Sequence, residues 1–410
     1  MNHRTLTPQN YYRLPWNLSD NAITWLEPTT KCNIYCEGCY RENNPEGHRP
    51  IESVIEELEA LKKLRKTDGI SIAGGEPLIY PDIVELVRYV ASQGWKPIVN
   101  TNGQALNPEL VVELKNAGLV GFTFHVDSHQ KRPEWAGKNE LELNDFRLKL
   151  AEMTHEASEG KVACAFNATI YRDTIEYIPA LTKWAQDNMK IVHTMVYILY
   201  RSVIWDKDDW DVYVKGEKIE PQDLFKTLVY KYDFKEGPRE TIMAQDIADK
   251  IRKIYPDYEP CAYLNGTEDP LSMKWLMSLR IGNKNRILGH VDNKFMELIQ
   301  GLHHFIFGTY LAYSKPSHMK ISPAIFFLAL FNRSIRKIFF NWLRNPANWL
   351  KRQYSQGIMI IQPVDLFEDG RQNMCDGCPD AILHNGKLVW SCRVDEIEKM
   401  GGFLTGVPRK

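Results

Sequence analysis

From residue 22 to about 198 the chain alternates short apolar runs with longer amphipathic stretches, and that alternation constrains the fold more than any other feature. The apolar runs are Ala22–Glu27, Gly69–Gly74, Lys96–Thr101, Gly121–Asp127, Lys161–Ile170 and Ile191–Ile198. Between them, helical spacing of apolar residues covers about Pro50–Lys66, Pro81–Gln93, Asn107–Ala117, Asn139–Glu159 and Thr174–Asn188. Repeated β-α units imply a parallel sheet with helices outside and right-handed crossovers. Six such strands predict a partial (β/α)6 TIM-like barrel instead of the full eight.

In parallel α/β folds the reactive groups sit at the carboxyl ends of strands. Polar motifs fall there: Cys32–Cys39 after the first strand, Gly74-Gly75-Glu76-Pro77 after the second, Thr101-Asn102-Gly103 after the third and Asp127-Ser128 after the fourth. His125, Asp127, Gln130, Arg132 and Trp135 crowd one short run. His125 and Asp127 share a strand face by the period of two, where they either meet substrate or His125 is a structural, hydrogen-bonded histidine.

Of the eight cysteines, six form two tight groups, Cys32/Cys36/Cys39 and Cys375/Cys378/Cys392. Met1–Asp20 shows no basic start followed by an apolar run, so a cytoplasmic location is expected. In that reducing compartment the thiols are metal ligands before they are disulfides. The C-x3-C-x2-C spacing of the first group lets three thiolates wrap three irons of a [4Fe–4S] cube and leave the fourth open. A zinc site would need a fourth ligand, and no Cys or His lies within eight residues on either side.

This loop and Gly74-Gly75-Glu76-Pro77 together resemble the radical S-adenosylmethionine (SAM) superfamily over roughly residues 22–200. The resemblance implies that the open iron chelates SAM and that reductive cleavage yields methionine and a 5′-deoxyadenosyl radical. It further implies that Gly74 and Gly75 admit the methionyl amino group, with Glu76 accepting from that ammonium. Asn102, Asp127, Ser128 and Asn167 take ribose and carboxylate contacts. The family places an aromatic residue just before the third cysteine; here that position is Gly38, and Tyr40 is the expected substitute at adenine. A reducing partner such as a ferredoxin or flavodoxin is implied as well. Cys164, among Ala163, Ala165 and Phe166, reads as a small buried hydrophobe.

Near the C-terminus, Cys375-Asp-Gly-Cys378 faces a hairpin turned at Asn385-Gly386 and ending at Cys392. The spacing resembles the auxiliary-cluster units of radical SAM enzymes, and the fourth ligand of a second [4Fe–4S] cluster is either Cys261 or a substrate or water. A structural zinc knuckle is the other reading. The related GTP cyclase carries arginines after its C-x2-C; Pro379-Asp380-Ala381-Ile382 stand here, so GTP is set aside as substrate.

From Leu298 to Val364 there is no Asp or Glu, against eight Lys and Arg residues. Ser322-Pro323 reads as the start of a helix reaching about Arg344, with Arg333, Arg336, Lys337 and Arg344 on one face and Phe339 and Trp342 on the other. The basic interruptions exclude a spanning helix and favour an interfacial one, with Trp342 and Trp349 at headgroup depth. Net charge is −1, so nothing global points to nucleic acid.

The expected organisation is an N-terminal extension (1–21), a core (22–245), a helical connector (246–300), a basic membrane-facing segment (301–356) and an auxiliary-cluster unit (357–410). Expected function is hydrogen abstraction from a C–H bond of a membrane lipid or isoprenoid, on the inner face of the membrane. A peptide maturase, a methyl-transferring radical SAM enzyme and a non-catalytic iron–sulfur redox protein are the alternatives.

Overall fold

The computed structural model describes residues 4–37, 39–201, 210–220, 242–321, 323–367 and 371–409. The sequence also predicts a polar-aromatic loop over Trp205–Asp211 and helices near Pro221–Tyr232 and Thr241–Tyr255; residues 205–209 and 221–232 and the cap at Ser322 lie outside the described residues, whereas Trp210–Val214 is a strand and not a loop.

All six expected strands form: β2 (Ile23–Thr29, after the short β1, Tyr12–Arg13), β3 (Gly69–Gly74), β4 (Lys96–Thr101), β5 (Gly121–His125), β6 (Ala163–Ile170) and β7 (Thr194–Leu199). They pair in parallel in that order from β2 to β7. The intervening helices are α1 (Ile51–Leu64), α2 (Ile83–Ser92), α3 (Pro108–Ala117), α4 (Leu143–Ala157) and α5 (Ile178–Asp187). Helix α3 shows why local sequence suffices. The Asn107 side chain accepts from the Leu110 N–H, Pro108 occupies the first turn, and Gly118 ends the helix at φ 106°. Its buried face is Val111, Leu114 and Ala117, at helical spacing.

The sheet does not stop at β7. β8 (Ala262–Asn265), β9 (Met273–Asn283) and β10 (Arg286–His290) form where a helical connector was expected. β11 (Tyr354–Ile361) then pairs in parallel with β7 and antiparallel with β9. The open sheet runs β1-β8-β9-β11-β7-β6-β5-β4-β3-β2, with β10 on β9. The helix expected near Thr241–Tyr255 forms as α6 (Ala244–Arg252), and α7 (Asn293–Phe307) follows β10. The core therefore extends well past residue 245.

The acid-free segment is an insertion between β10 and β11. It crosses the amino ends of the strands: His304 bonds Asp20 at 2.8 Å, the Ala312 N–H bonds Asp68, and Lys96 bonds the Tyr313 carbonyl at 3.1 Å. The long expected helix is broken in two. Pro323–Leu330 is a 3-10 helix, and α8 (Arg333–Leu343) begins afresh where the Asn332 side chain accepts from the Ile335 N–H. Ile335 and Ile338 of α8 are buried against β10, and Phe339 and Trp342 pack half-buried on the same cluster. These aromatics are core, not a lipid face. The exposed apolar side chains of the insertion include Phe305, Phe307, Phe327, Phe331 and Leu350, the last two 86% and 97% exposed.

Candidate active site: two groups of thiols

Cys32 follows the carboxyl end of β2, and the loop that carries it runs directly over the glycine pair after β3. The Gly75 N–H donates to the Thr29 carbonyl and the Glu76 N–H to the Lys31 carbonyl, each at 2.8 Å. A Cβ on Gly74 would stand 2.2 Å from the Thr29 oxygen, and one on Gly75 2.1 Å from the Lys31 oxygen. Gly74 also has φ +104°. The glycines are therefore required by the crossing of the thiol loop, a different reason from the expected room for an amino group.

The rest of the loop is clamped from the other side. Tyr35–Cys36 forms a short antiparallel ladder with Gln130–Lys131. Glu37 accepts from or shares a proton with His129 at 2.7 Å, and the His129 ring stacks on Tyr171 at 3.8 Å. Burial, then the nearby Cys39, Asp127 and Cys32, push the Cys36 thiol well above its ordinary range. The Cys39 thiol is pushed up to about 11, again chiefly by burial. Thiols in such a setting ionise when a metal supplies the missing positive charge.

Glu76 is fully buried, and its carboxylate accepts from the Leu78 N–H (2.9 Å), the Thr101 hydroxyl (2.6 Å) and the Asn102 N–H (2.7 Å). A carboxylate has about four acceptor positions, so one remains. Asn102 donates to Asn33 Oδ1 at 2.7 Å and lies 3.8 Å from Cys32 Sγ, holding the thiol loop. Burial alone would raise the Asp127 carboxyl, but the His125 hydrogen bond and charge, the Thr169 N–H and Arg132 hold it below the usual range. The Ser128 N–H donates to Glu140. Asn167 stands opposite His125 in register, and its Oδ1 is buried without a partner. That orphaned acceptor, the spare position on Glu76 and three thiols on one loop fit a polar ligand bound beside an iron–sulfur cluster. Cys164 is buried in the core as expected.

The C-terminal thiols also converge. Gly266 bridges Cys375, and the Asp376 N–H bonds the Asn265 carbonyl at 2.9 Å. Gly377, at φ +68°, packs against the Trp16 carbonyl, and Arg65 donates to the Cys378 carbonyl at 3.0 Å. The hairpin Ala381–His384/Lys387–Trp390 turns at Asn385 and Gly386, both with positive φ, as their sequence predicts. A bond to Cys375, burial, and the charges of Cys375, Asp380 and Cys392 all raise the Cys378 thiol. Cys261 is not brought to this group. Its thiol donates to the Met277 carbonyl at 3.4 Å, and it lies five residues up the chain from Gly266, on the order of 15 Å of extended strand.

One brace at this site carried no sequence signal. Arg41 pairs with Glu27 and with Asp395, all three nearly buried, and so ties the first thiol loop to the C-terminal unit. Its partners lie 14 and 354 positions away, beyond any local pattern. Tyr40, expected at adenine, places its phenol among Glu27, Asp380, Cys392 and Cys39, between the two thiol groups. Asp380 is pushed up to about 7 by burial, with Arg65 opposing. Among the described residues no three of His, Cys, Asp and Glu are drawn to the spacing of a single ion. A four-iron cube spreads its thiolates over separate irons.

A parallel α/β sheet with a three-thiol loop at its carboxyl edge can hold an iron–sulfur cluster facing the strand-end polar groups. Residues 26–185 match the Radical SAM superfamily model, and this segment is a radical SAM domain. Its cofactors are accordingly a [4Fe–4S] cluster and SAM. The chain is 25% identical over 166 residues to a tungsten-containing aldehyde ferredoxin oxidoreductase cofactor-modifying protein of Pyrococcus furiosus, covering 39% of this chain and 47% of that one. It is 32% identical over 108 residues to an AdoMet-dependent heme synthase of Methanosarcina barkeri, covering 26% and 30%. A probable GTP 3′,8-cyclase of Thermoplasma volcanium is 24% identical over 247 residues, covering 58% and 74%. The chain thus spans about half or less of the first two relatives.

Proposed function

We propose that the chain is an enzyme that abstracts hydrogen from a C–H bond of a substrate bound over the strand carboxyl ends. The observation that carries this reading is the convergence of Cys32, Cys36 and Cys39 with Glu76, Asn102, Asp127 and Asn167 at those ends. When bound, the cluster and SAM supply a 5′-deoxyadenosyl radical, chemistry that belongs to the cofactor. The chain's residues aim and shield it. Cys32, Cys36 and Cys39 hold three irons, and Glu76 offers its remaining acceptor position to an ammonium. Asn167 Oδ1 offers an acceptor for a hydroxyl. Asp127, kept ionised beside His125, offers a second.

Cys375, Cys378 and Cys392 would hold the second cluster, and a ferredoxin or flavodoxin would deliver electrons. The exposed Phe305, Phe307, Phe327, Phe331 and Leu350, on a segment without acids, would seat the protein on an anionic bilayer. No helix among the described residues is long and apolar enough to cross it. This docking face lies at the amino ends of the strands, opposite Cys32, Cys36 and Cys39. A lipid or isoprenoid substrate therefore rests on the acid-free segment alone, since docking there does not itself deliver lipid to the cluster.

The test is anaerobic incubation with SAM, dithionite and a total lipid extract, read by mass spectrometry. 5′-Deoxyadenosine is expected, and its absence from iron-loaded protein contradicts the proposal. Phe331→Ser with Leu350→Ser should lower sedimentation with anionic liposomes and leave melting unchanged. Wild-type protein that ignores such liposomes at low salt would remove the membrane from the account.

A further inference from the structure

The insertion returns to the sheet beside a cavity that the thiol chemistry does not use. It encloses about 270 Å³ and is lined by His155, Gly160, Lys190, Lys320, Arg352 and Tyr354, with one proline completing the wall. Four separate stretches of the chain build it: the end of α4, the loop before β7, the middle of the insertion and the return of the insertion into β11. The last two are locked together, because Lys320 and Tyr354 form an antiparallel bridge and the Ile321 N–H bonds the Gln353 carbonyl at 3.0 Å. Gly160, at φ +68°, lets the backbone close on the His155 ring, where a Cβ would stand 2.9 Å from Cε1.

No carboxylate lines this cavity. Lys190, Lys320 and Arg352 form no ion pair among the described residues, whereas nearby Lys161 and Lys115 both pair with Glu159. Burial, then Lys190 and Lys320, hold His155 below its ordinary range, with only the adjacent Glu156 opposing. Behind the wall, His193 accepts from the Cys164 N–H at 3.0 Å and is held down to about 4, chiefly by burial. Cations gathered round one concavity repel each other and concentrate anions. A guanidinium offers a planar fork to phosphate oxygens, and each ammonium adds a point charge.

We propose that this cavity is a phosphate-binding site formed by Lys190, Lys320 and Arg352, with the Tyr354 hydroxyl as a further donor. Its volume exceeds a bare phosphate, so a phosphoester with part of its alcohol fits. The ligand comes from one of two sources, a phospholipid headgroup or a soluble phosphoester. Leu350 and Trp349, two and three residues before Arg352 in the chain, are 97% and 53% exposed. The site depends neither on the radical chemistry nor on the membrane reading.

The experiment compares the full chain, purified anaerobically, with a Lys190→Gln/Lys320→Gln/Arg352→Gln variant. All three side chains are exposed, so the variant should fold, keep its iron and cleave SAM as the wild type does. Melting is followed with inorganic phosphate against chloride at equal ionic strength, since a ligand of the folded state raises Tm. Flotation is followed with phosphatidylcholine vesicles holding either phosphatidic acid or oleate at equal charge. For either source, phosphate should raise the wild-type Tm, with at least tenfold weaker binding in the variant. If the source is lipid, phosphatidic acid vesicles should also bind better than oleate vesicles, lose the variant and be displaced by phosphate. If it is soluble, the two vesicle types should behave alike. A variant indistinguishable from wild type in both assays overturns the proposal.

Discussion

The loop of Cys32, Cys36 and Cys39 and the unit of Cys375, Cys378 and Cys392 use the same ligand chemistry behind different walls. The first leaves Cys32 and Cys36 only half-buried and sits where four strands end in polar groups. The second buries Cys375 and Cys378 beside Gly266 at the end of β8, under Trp16 and Arg65, and its hairpin strand Ala381–His384 packs on the edge strand β2. Position on the sheet makes the difference. Strand carboxyl ends present acceptors to a ligand, whereas a strand edge presents backbone that must be covered. The first group is thus suited to an open centre that binds a cosubstrate, and the second to a closed one that does not.

That contrast can be broken in four ways, in falling order of effect. Replacing Cys375, Cys378 and Cys392 by Ala should leave about four of about eight irons and preserve SAM cleavage, measured by iron analysis and 5′-deoxyadenosine. Loss of SAM cleavage as well would show that the two centres do not separate. Arg41→Leu strands the buried Glu27 and Asp395 carboxylates and should cost about 3–5 kcal/mol in urea denaturation at pH 7. Burial already raises the Glu27 carboxyl, with Arg41 opposing, and removing Arg41 raises it further. The difference from wild type should therefore shrink as pH falls toward the ordinary carboxylate range, where folded and unfolded chains are both protonated.

Glu76→Gln should keep all iron and weaken SAM binding by about 1.5–3 kcal/mol, roughly 10- to 150-fold by calorimetry. A drop in iron content instead would make Glu76 a brace for the thiol loop alone. Smallest of all, Cys261→Ala should leave the electron paramagnetic resonance signal of the second cluster unchanged. A changed signal would return Cys261 to the ligand set against its bond to Met277.

Residues 22–199 were legible because each β-α unit is built from neighbours: caps, periodic apolar faces and strand-end loops lie within a few positions. The Asn385-Gly386 hairpin was legible for the same reason. β9 was not, because buried Lys274 and Arg280 break its apolar alternation; they are satisfied by Asp365 and Gln356, far along the chain. The break in the insertion turned on Asn332, whose side chain caps a new helix inside an apolar run. Thiols, Glu76 and Asn102 were named from motif and strand position. The brace of Arg41, Glu27 and Asp395 was not, since only folding brings those residues together.

The central claim, that Cys32, Cys36 and Cys39 form the open, SAM-cleaving centre, is tested most directly by replacing all three with Ala. The protein is purified anaerobically, reduced with dithionite and given SAM. The account predicts about four residual irons and no 5′-deoxyadenosine, against about eight irons and steady 5′-deoxyadenosine formation in the wild type. Wild-type protein carrying tightly bound zinc and no iron, or a triple variant that still cleaves SAM, would contradict it.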